Sequence, residues 1–179
     1  MDDYIFICYR RDDTAGYAGR LYDRLVARFG EERIFMDIDG IGLGTDFVEE
    51  IEKAVGSVKV QIVMIGRRWA TIKDSAGNRR LDDPDDYVRL EIESALKRRI
   101  RVVPALIAGA PMPTEAELPD SLKPLRRRQG IQISHAGFDG DVAQLIKKLE
   151  TILGEEVEDS EPSTGFWGWW RNMSDTAKG

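Results

Sequence analysis

The sequence of 179 residues contains a single histidine, His135, and a single cysteine, Cys8. One histidine excludes most catalytic schemes built on a Ser-His or Cys-His pair, and most zinc sites as well. One cysteine cannot form a disulfide within the chain, which fits a reducing compartment. Since Cys8 lies inside an apolar segment, we expect it to be a small core residue. Enzymatic chemistry in this chain would therefore use carboxylates, arginines and hydroxyls, without a metal.

Long apolar runs and excess positive charge are missing too. No segment is long enough to cross a bilayer, and Met1-Asp2-Asp3 lacks the basic and apolar regions of a secretory signal. We therefore expect a cytoplasmic protein with no membrane contact. A net charge of -6 argues against nucleic acid as the main partner, because phosphate neutralisation dominates such binding. The basic run Arg126-Arg127-Arg128 is interpreted mainly as a solvated helix end, with a partner or phosphate contact as the alternative.

The apolar pattern predicts one α/β domain. Hydrophobic residues make up 42% of the chain and charged residues 32%, a balance typical of globular proteins. The pattern predicts strands at 4–9, 34–38, 58–65, 101–107 and 131–134, and helices at 15–29, 46–55, 84–99, 122–128 and 142–153. Alternating strands and helices predict a parallel sheet covered on both faces. We expect a five-stranded flavodoxin-like sheet of order 2-1-3-4-5.

The composition changes after residue 153. Residues 155–162 are rich in acid and end in proline, as linkers are. Residues 166–170 then hold three of the four tryptophans. We expect a domain at 1–153 followed by an acidic linker and a Trp-rich tail at 154–179. The Trp-rich segment would dock on the domain, join subunits or begin a larger region.

One carboxylate stands out in the predicted helix 84–99. At about 100° per residue, Tyr87, Glu91, Ser94 and Arg98 form a stripe beside the apolar face. Glu91 falls at the border of that face, whereas Glu93 points nearly the opposite way and should be exposed. A carboxylate at the edge of a core is costly unless it is paired or used. Glu91 is therefore the first candidate for chemistry, and the alternative is that it caps the core beside an arginine.

The carboxyl ends of the strands should form the ligand-binding edge. These ends comprise residues 9–13, 37–44, 66–69 and the loop after Ile107, and they include Tyr9 and Asp37. Arg10 and Arg11 could bind a diphosphate in bidentate fashion, or pair with Asp12 and Asp13. Trp69 is expected in the core, with pocket lining as the alternative.

A glycine-rich loop follows the second predicted strand. Gly40, Gly42 and Gly44 do not have the spacing of the dinucleotide fingerprint. The backbone freedom of glycine instead favours a loop that opens or closes over a site, or inserts into a neighbouring subunit. Ile41 and Leu43 would be its contact residues, and Leu90 is expected on the outward side of the helix 84–99.

Several segments resemble a bacterial Toll/interleukin receptor (TIR) domain, in order from Tyr4 to about Leu153. They are Phe6 to Arg11, Phe35-Met36-Asp37, Gly44 to Phe47, Ala54-Val55, Val63 to Gly66, Val88 to Ile92 and Val102-Val103-Pro104. Many TIR domains are scaffolds that self-associate, and others cleave NAD between nicotinamide and ribose. The resemblance implies a catalytic glutamate four residues after an aromatic residue in a helix, which corresponds to Glu91 and Tyr87. Enzymatic members often have tryptophan at the position of Tyr87.

The resemblance therefore implies an NAD glycohydrolase, or a cyclase, activated by self-association, with NAD as substrate and no cofactor. Glu91 would be catalytic, and the substrate-binding residues would be Tyr87, Tyr9, Arg10, Arg11, Asp37 and Trp69. The assembly contacts would be Ile41, Gly42, Leu43, Gly44 and Leu90. Bacterial TIR proteins commonly act in anti-phage defence or host interference. The alternative is a non-catalytic scaffold that acts through TIR-TIR assembly. A phosphoaccepting receiver domain is disfavoured, because the third strand ends Met64-Ile65-Gly66 without an aspartate.

Overall fold

The computed structural model describes residues 4–36 and 58–154. Its strands are β1 (Tyr4–Cys8), β2 (Ile34–Met36), β3 (Val58–Ile65), β4 (Arg101–Ile107) and β5 (Ile131–Ile133). All four strand pairs are parallel, in the order β2-β1-β3-β4-β5. The predicted flavodoxin-like sheet is therefore confirmed. The predicted helix at 46–55 lies outside the described residues, as do Asp37, Ile41, Gly42, Leu43 and Gly44.

Among the described residues, three α-helices cover this sheet: α1 (Arg11–Phe29), α2 (Tyr87–Lys97) and α3 (Phe138–Gly154). A 3-10 helix, Asp120–Arg127, joins α2 on its face of the sheet. The other face is covered by α1 and α3. None of these helices, within residues 4–36 and 58–154, combines the length and apolar character that spanning a bilayer requires.

The two faces of the sheet use alternate residues of each strand, as a pleated strand requires. Along β1, Ile5 and Ile7 face α1 and α3, whereas Phe6 and Cys8 face α2. Seven of the eight residues of β3 are buried, as expected for a strand covered on both sides. Cys8 is 1% exposed and is a core residue, as predicted.

The start of α2 differs from the sequence prediction. Pro84 was expected in its first turn, but the helix begins at Tyr87. Asp86 has extended dihedrals, φ -65° and ψ 121°, and its carboxylate accepts a hydrogen bond from the backbone N–H of Arg89. This is the geometry of an N-cap residue, which fixes where a helix begins. Pro84 and Asp85 lie instead in a turn, which follows a short 3-10 helix, Arg80–Asp82.

Candidate functional site

A buried ion pair connects the carboxyl end of β1 to the start of α2. Arg10 Nη1 donates to Asp86 Oδ1 at 3.0 Å, and Nη2 donates to Oδ2 at 2.8 Å. The side chains are only 1% and 2% exposed. The sequence suggested a diphosphate, or Asp12 and Asp13, as partners of Arg10. The expected pairing of Arg10 with Asp12 and Asp13 is wrong, because Arg10 binds Asp86, a helix cap 76 positions along the chain.

Asp86 therefore has two structural roles. Its Oδ2 accepts from the Arg89 N–H at 3.1 Å, and both of its oxygens hold Arg10. Arg80, which is partly exposed, approaches Asp86 Oδ1 and Asp12 Oδ2, each at 3.5 Å. The carboxylate thus fixes the position of the first turn of α2 relative to the sheet.

Trp69 packs beneath this pair. The guanidinium carbon of Arg10 lies 5.7 Å from the centre of the indole ring, within the range of a cation–π interaction. Trp69 is 1% exposed, so its predicted place in the core is confirmed. Its indole N–H has no hydrogen-bond partner within the described part of the chain.

Glu91 lies on the face of α2 that packs against β1. It is 6% exposed, so it is more deeply buried than a residue at the border of the apolar face should be. The Cys8 thiol, at the end of β1, hydrogen-bonds to the Glu91 side chain. Burial, and then the nearby Glu91 carboxylate, raise the pKa of Cys8 well above its ordinary value. The thiol is therefore a neutral hydrogen-bond donor at physiological pH.

Tyr87 and Ser94 flank Glu91 along the same stripe of α2, as helical spacing requires. Tyr87 is 47% exposed. Ser94 is buried, and its hydroxyl has no hydrogen-bond partner among the residues that the structure describes. The stripe thus passes from an exposed aromatic ring, through a buried carboxylate, to a buried hydroxyl.

Two expectations for the remaining residues of α2 are wrong. Glu93, expected in solvent, is only 27% exposed, because Arg89 Nε donates to it at 2.6 Å and the Ser121 hydroxyl also donates to it. Leu90, expected to point outward, is half-buried and packs against the core. The reason is the same for both residues: the 3-10 helix Asp120–Arg127 covers a side of α2 that the helical wheel treated as open.

The other predicted substrate-binding residues are more dispersed. Tyr9 is half-buried on the face covered by α1 and α3, away from the face of Glu91. Arg11 is the exposed first residue of α1. Among the described residues, no group of three His, Cys, Asp or Glu side chains could hold a metal ion.

Sequence reasoning missed Asp86 and the contact of Cys8 with Glu91. An N-cap signal was available, because an aspartate stands directly before the apolar-periodic residues of α2. No local pattern indicated that this cap would bind Arg10, or that the thiol would meet the carboxylate. Both contacts depend on α2 packing over β1.

Comparisons with known proteins agree with this fold. A family model described as TIR domain matches residues 5–149. No curated protein shows significant sequence similarity to the chain. One similar solved structure is that of the activated Roq1 resistosome, which directly recognises the pathogen effector XopQ. Its TIR domains align with a TM-score of 0.60 at 16% identity, covering 82% of this chain and 99% of theirs. A prokaryotic SEFIR domain aligns with a TM-score of 0.53 at 18% identity, covering 91% of this chain and 99% of its own. The family model spans most of the sequence and the sheet has the corresponding topology, so this chain belongs to the TIR domain family.

Proposed function

We propose that this TIR domain cleaves NAD at the bond between nicotinamide and ribose, with Glu91 as the catalytic carboxylate. The observation that carries the proposal is the burial of Glu91, which is 6% exposed, one helical turn from the exposed ring of Tyr87. A carboxylate withdrawn from water interacts more strongly with a nearby charge than an exposed carboxylate does. An aromatic ring beside it offers a surface on which a base or a ribose can stack.

The reaction requires only one carboxylate. Most glycosidases need a second carboxylic acid to protonate an alkoxide leaving group. Nicotinamide in NAD is instead a cationic pyridinium: when the glycosidic C–N bond breaks, the electron pair goes to the ring nitrogen, and the base departs neutral. The ribose carbon becomes positive, and a preorganised negative charge stabilises it. Water, or a hydroxyl of the same ligand, then bonds to that carbon and loses a proton, giving a linear or a cyclic product.

The surrounding residues divide between positioning and binding in this proposal. The Cys8 thiol orients the carboxylate of Glu91, to which it hydrogen-bonds. Arg10 is engaged by Asp86 through both of its terminal nitrogens, so it positions α2. Arg11, exposed at the start of α1, is the better candidate for the diphosphate. Asp37, outside the described residues, stays a proposed substrate contact at the ligand-binding edge of the sheet.

The test is nicotinamide release from NAD, followed by chromatography, for the wild type and for Glu91→Gln and Glu91→Ala. Loss of one preorganised electrostatic partner should lower kcat by about 100- to 1000-fold. Glu93→Gln is the matched control, because Glu93 lies on the same helix and is engaged by Arg89 and Ser121; it should keep most of the activity. Circular dichroism shows whether each variant is folded. Equal turnover in folded Glu91→Ala and in the wild type would refute the catalytic assignment.

Assembly is the second candidate function. The Roq1 structure, an activated resistosome, includes TIR domains, which favours contacts between copies of a TIR domain in this protein as well. Leu90 can offer only part of its side chain to a neighbouring copy, because the rest is buried against the core of its own domain. Measuring nicotinamide release against protein concentration separates the cases. A steeper than linear dependence supports a site completed by assembly, a linear one argues against that requirement, and assembly without turnover supports a scaffold.

A further inference from the structure

The end of the sheet away from Glu91 carries a dense positive charge. The strands end near Arg10 and the cap of α2, and α2 then runs back so that its last turn lies beside the amino end of β4. Seven exposed cations, which we call the basic end, lie here in two runs: Lys97, Arg98, Arg99 and Arg101, and then Arg126, Arg127 and Arg128. Such a concentration is unexpected in a chain of net charge -6.

The strand register brings the two runs together. In the β4–β5 pair, Ala105 lies beside Ile131, so extended residues before β5 run alongside the residues before Ala105. Gly130 confirms this alignment, since a Cβ placed on it would lie 3.0 Å from the Pro104 carbonyl oxygen. Continuing the same offset over the extended residues places Arg128 level with Val102, directly after Arg101, and Arg127 ends the 3-10 helix just before it. The two runs therefore form one surface.

The acidic linker begins at the same end of the sheet. Lys59 Nζ donates to the carbonyl oxygen of Leu153, in the last turn of α3, at 2.9 Å. Lys59 directly precedes Val60, which pairs with Arg101 on the neighbouring strand. The last turn of α3 thus contacts the Lys59 side chain of β3. The neighbouring strand β4, which begins at Arg101 of the basic end, lies one strand spacing away, about 5 Å.

Length and charge both suit the linker to this surface. Residues 155–161 read Glu-Glu-Val-Glu-Asp-Ser-Glu, with five carboxylates in seven residues. Seven extended residues span at most about 25 Å. The path covers two strand spacings from β3 to β5, about 10 Å, and also passes around the end of the sheet, because α3 and α2 lie on opposite faces. A segment tethered this closely has an effective concentration of about 1 mM or more, which favours even a weak contact.

We propose that the acidic linker, residues 155–161, binds the basic end of its own domain. The proposal does not depend on NAD cleavage. Since the basic end is opposite the end that carries Glu91, the docked linker lies away from the candidate site. Surface ion pairs are individually weak and are screened by salt, so the contact should depend on several charges and on ionic strength.

The test is paramagnetic relaxation enhancement in the full chain. A spin label is attached through Ser163→Cys, and mass spectrometry verifies single labelling, with Cys8 buried. Amide signals of residues 97–101 and 126–128 should lose intensity relative to the reduced label, while signals of the first turn of α1, at the opposite end of the sheet, should not. The intensity should return in a variant with the linker acids changed to amides, and in about 1 M salt, where the Debye length is about 3 Å.

A matched pair of variants tests the surface itself. Arg127→Gln/Arg128→Gln should restore much of the lost intensity, whereas Lys147→Gln/Lys148→Gln, which removes the same charge from the exposed side of α3, should not. Absent or uniform intensity loss, or loss that survives neutralisation of the linker, would overturn the proposal. Mixing spin-labelled unenriched protein with unlabelled ¹⁵N-enriched protein tests a second copy as the acceptor. Loss seen only in that mixture would also overturn binding within one chain.

Discussion

The buried ion pair between Arg10 and Asp86 predicts a large loss of stability when one partner is removed. The two side chains are 1% and 2% exposed and form two hydrogen bonds. Breaking such a pair costs about 3–5 kcal/mol, because the remaining charge is left buried. Asp86→Ala also removes the N-cap of α2, which costs about 1 kcal/mol more. We expect a total of roughly 4–6 kcal/mol, a large part of the 5–15 kcal/mol that typically stabilises a domain.

The assay is equilibrium unfolding in urea together with thermal unfolding. At about 2–4 °C for each kcal/mol, Asp86→Ala should lower Tm by roughly 8–24 °C. Asp139→Ala is the control, because Asp139 pairs with Arg24 in an exposed position where such pairs contribute about 0–1 kcal/mol. Arg10→Met completes a double-mutant cycle, which should show a coupling energy well above measurement error. Equal losses in Asp86→Ala and Asp139→Ala, or strict additivity of Arg10→Met and Asp86→Ala, would refute the reasoning.

Three further predictions concern the buried residues Cys8, Ser94 and Trp69. Burial raises the pKa of Cys8, so above about pH 8.5 the unfolded thiol loses its proton while the folded one keeps it. The contribution of this group should therefore lower the free energy of unfolding by up to about 1.4 kcal/mol per pH unit. Urea unfolding of the wild type at pH 8 to 10 should show this slope, and Cys8→Ala should lack it. The same slope in both proteins would contradict the assignment. Ser94→Ala should not reduce stability, because its buried hydroxyl has no partner among the described residues; a loss of several degrees in Tm would show otherwise. Trp69→Ala should cost about 3–5 kcal/mol through the cavity it leaves, and Trp69→Phe clearly less, both by urea unfolding; equal costs would mean that ring volume is not what stabilises the site.

Regular elements with strong apolar patterns could be predicted from the sequence alone. The bounds of β3 and β4 are those predicted, because an apolar, β-branched run bounded by polar residues has few other places in a parallel sheet. The start of α2 was predicted three residues too early. There the cap depends on the side chain of Asp86, and proline is equally suited to a first turn or to the segment before it.

The candidate site was only partly predictable. A helical wheel places Glu91 on a helix surface but cannot measure how deeply a neighbouring strand buries it. Arg10 is separated from its partner Asp86 by 76 positions, and local patterns carry no information about such a distant contact. The cover over Glu93 and Leu90 likewise comes from a separate segment, Asp120–Arg127.

The sequence by itself determined the order of strands and helices and the presence of one carboxylate at the edge of an apolar helix face. Hydrophobic periodicity is a local property, so these features can be read without coordinates. Only the tertiary structure decided that the carboxylate is buried against a thiol and that Arg10 forms an ion pair with a helix cap. It also decided that two basic runs lie at the end of the sheet where α3 ends. Each of these depends on which segments pack together, because charge and burial are set by neighbours that are distant in the chain.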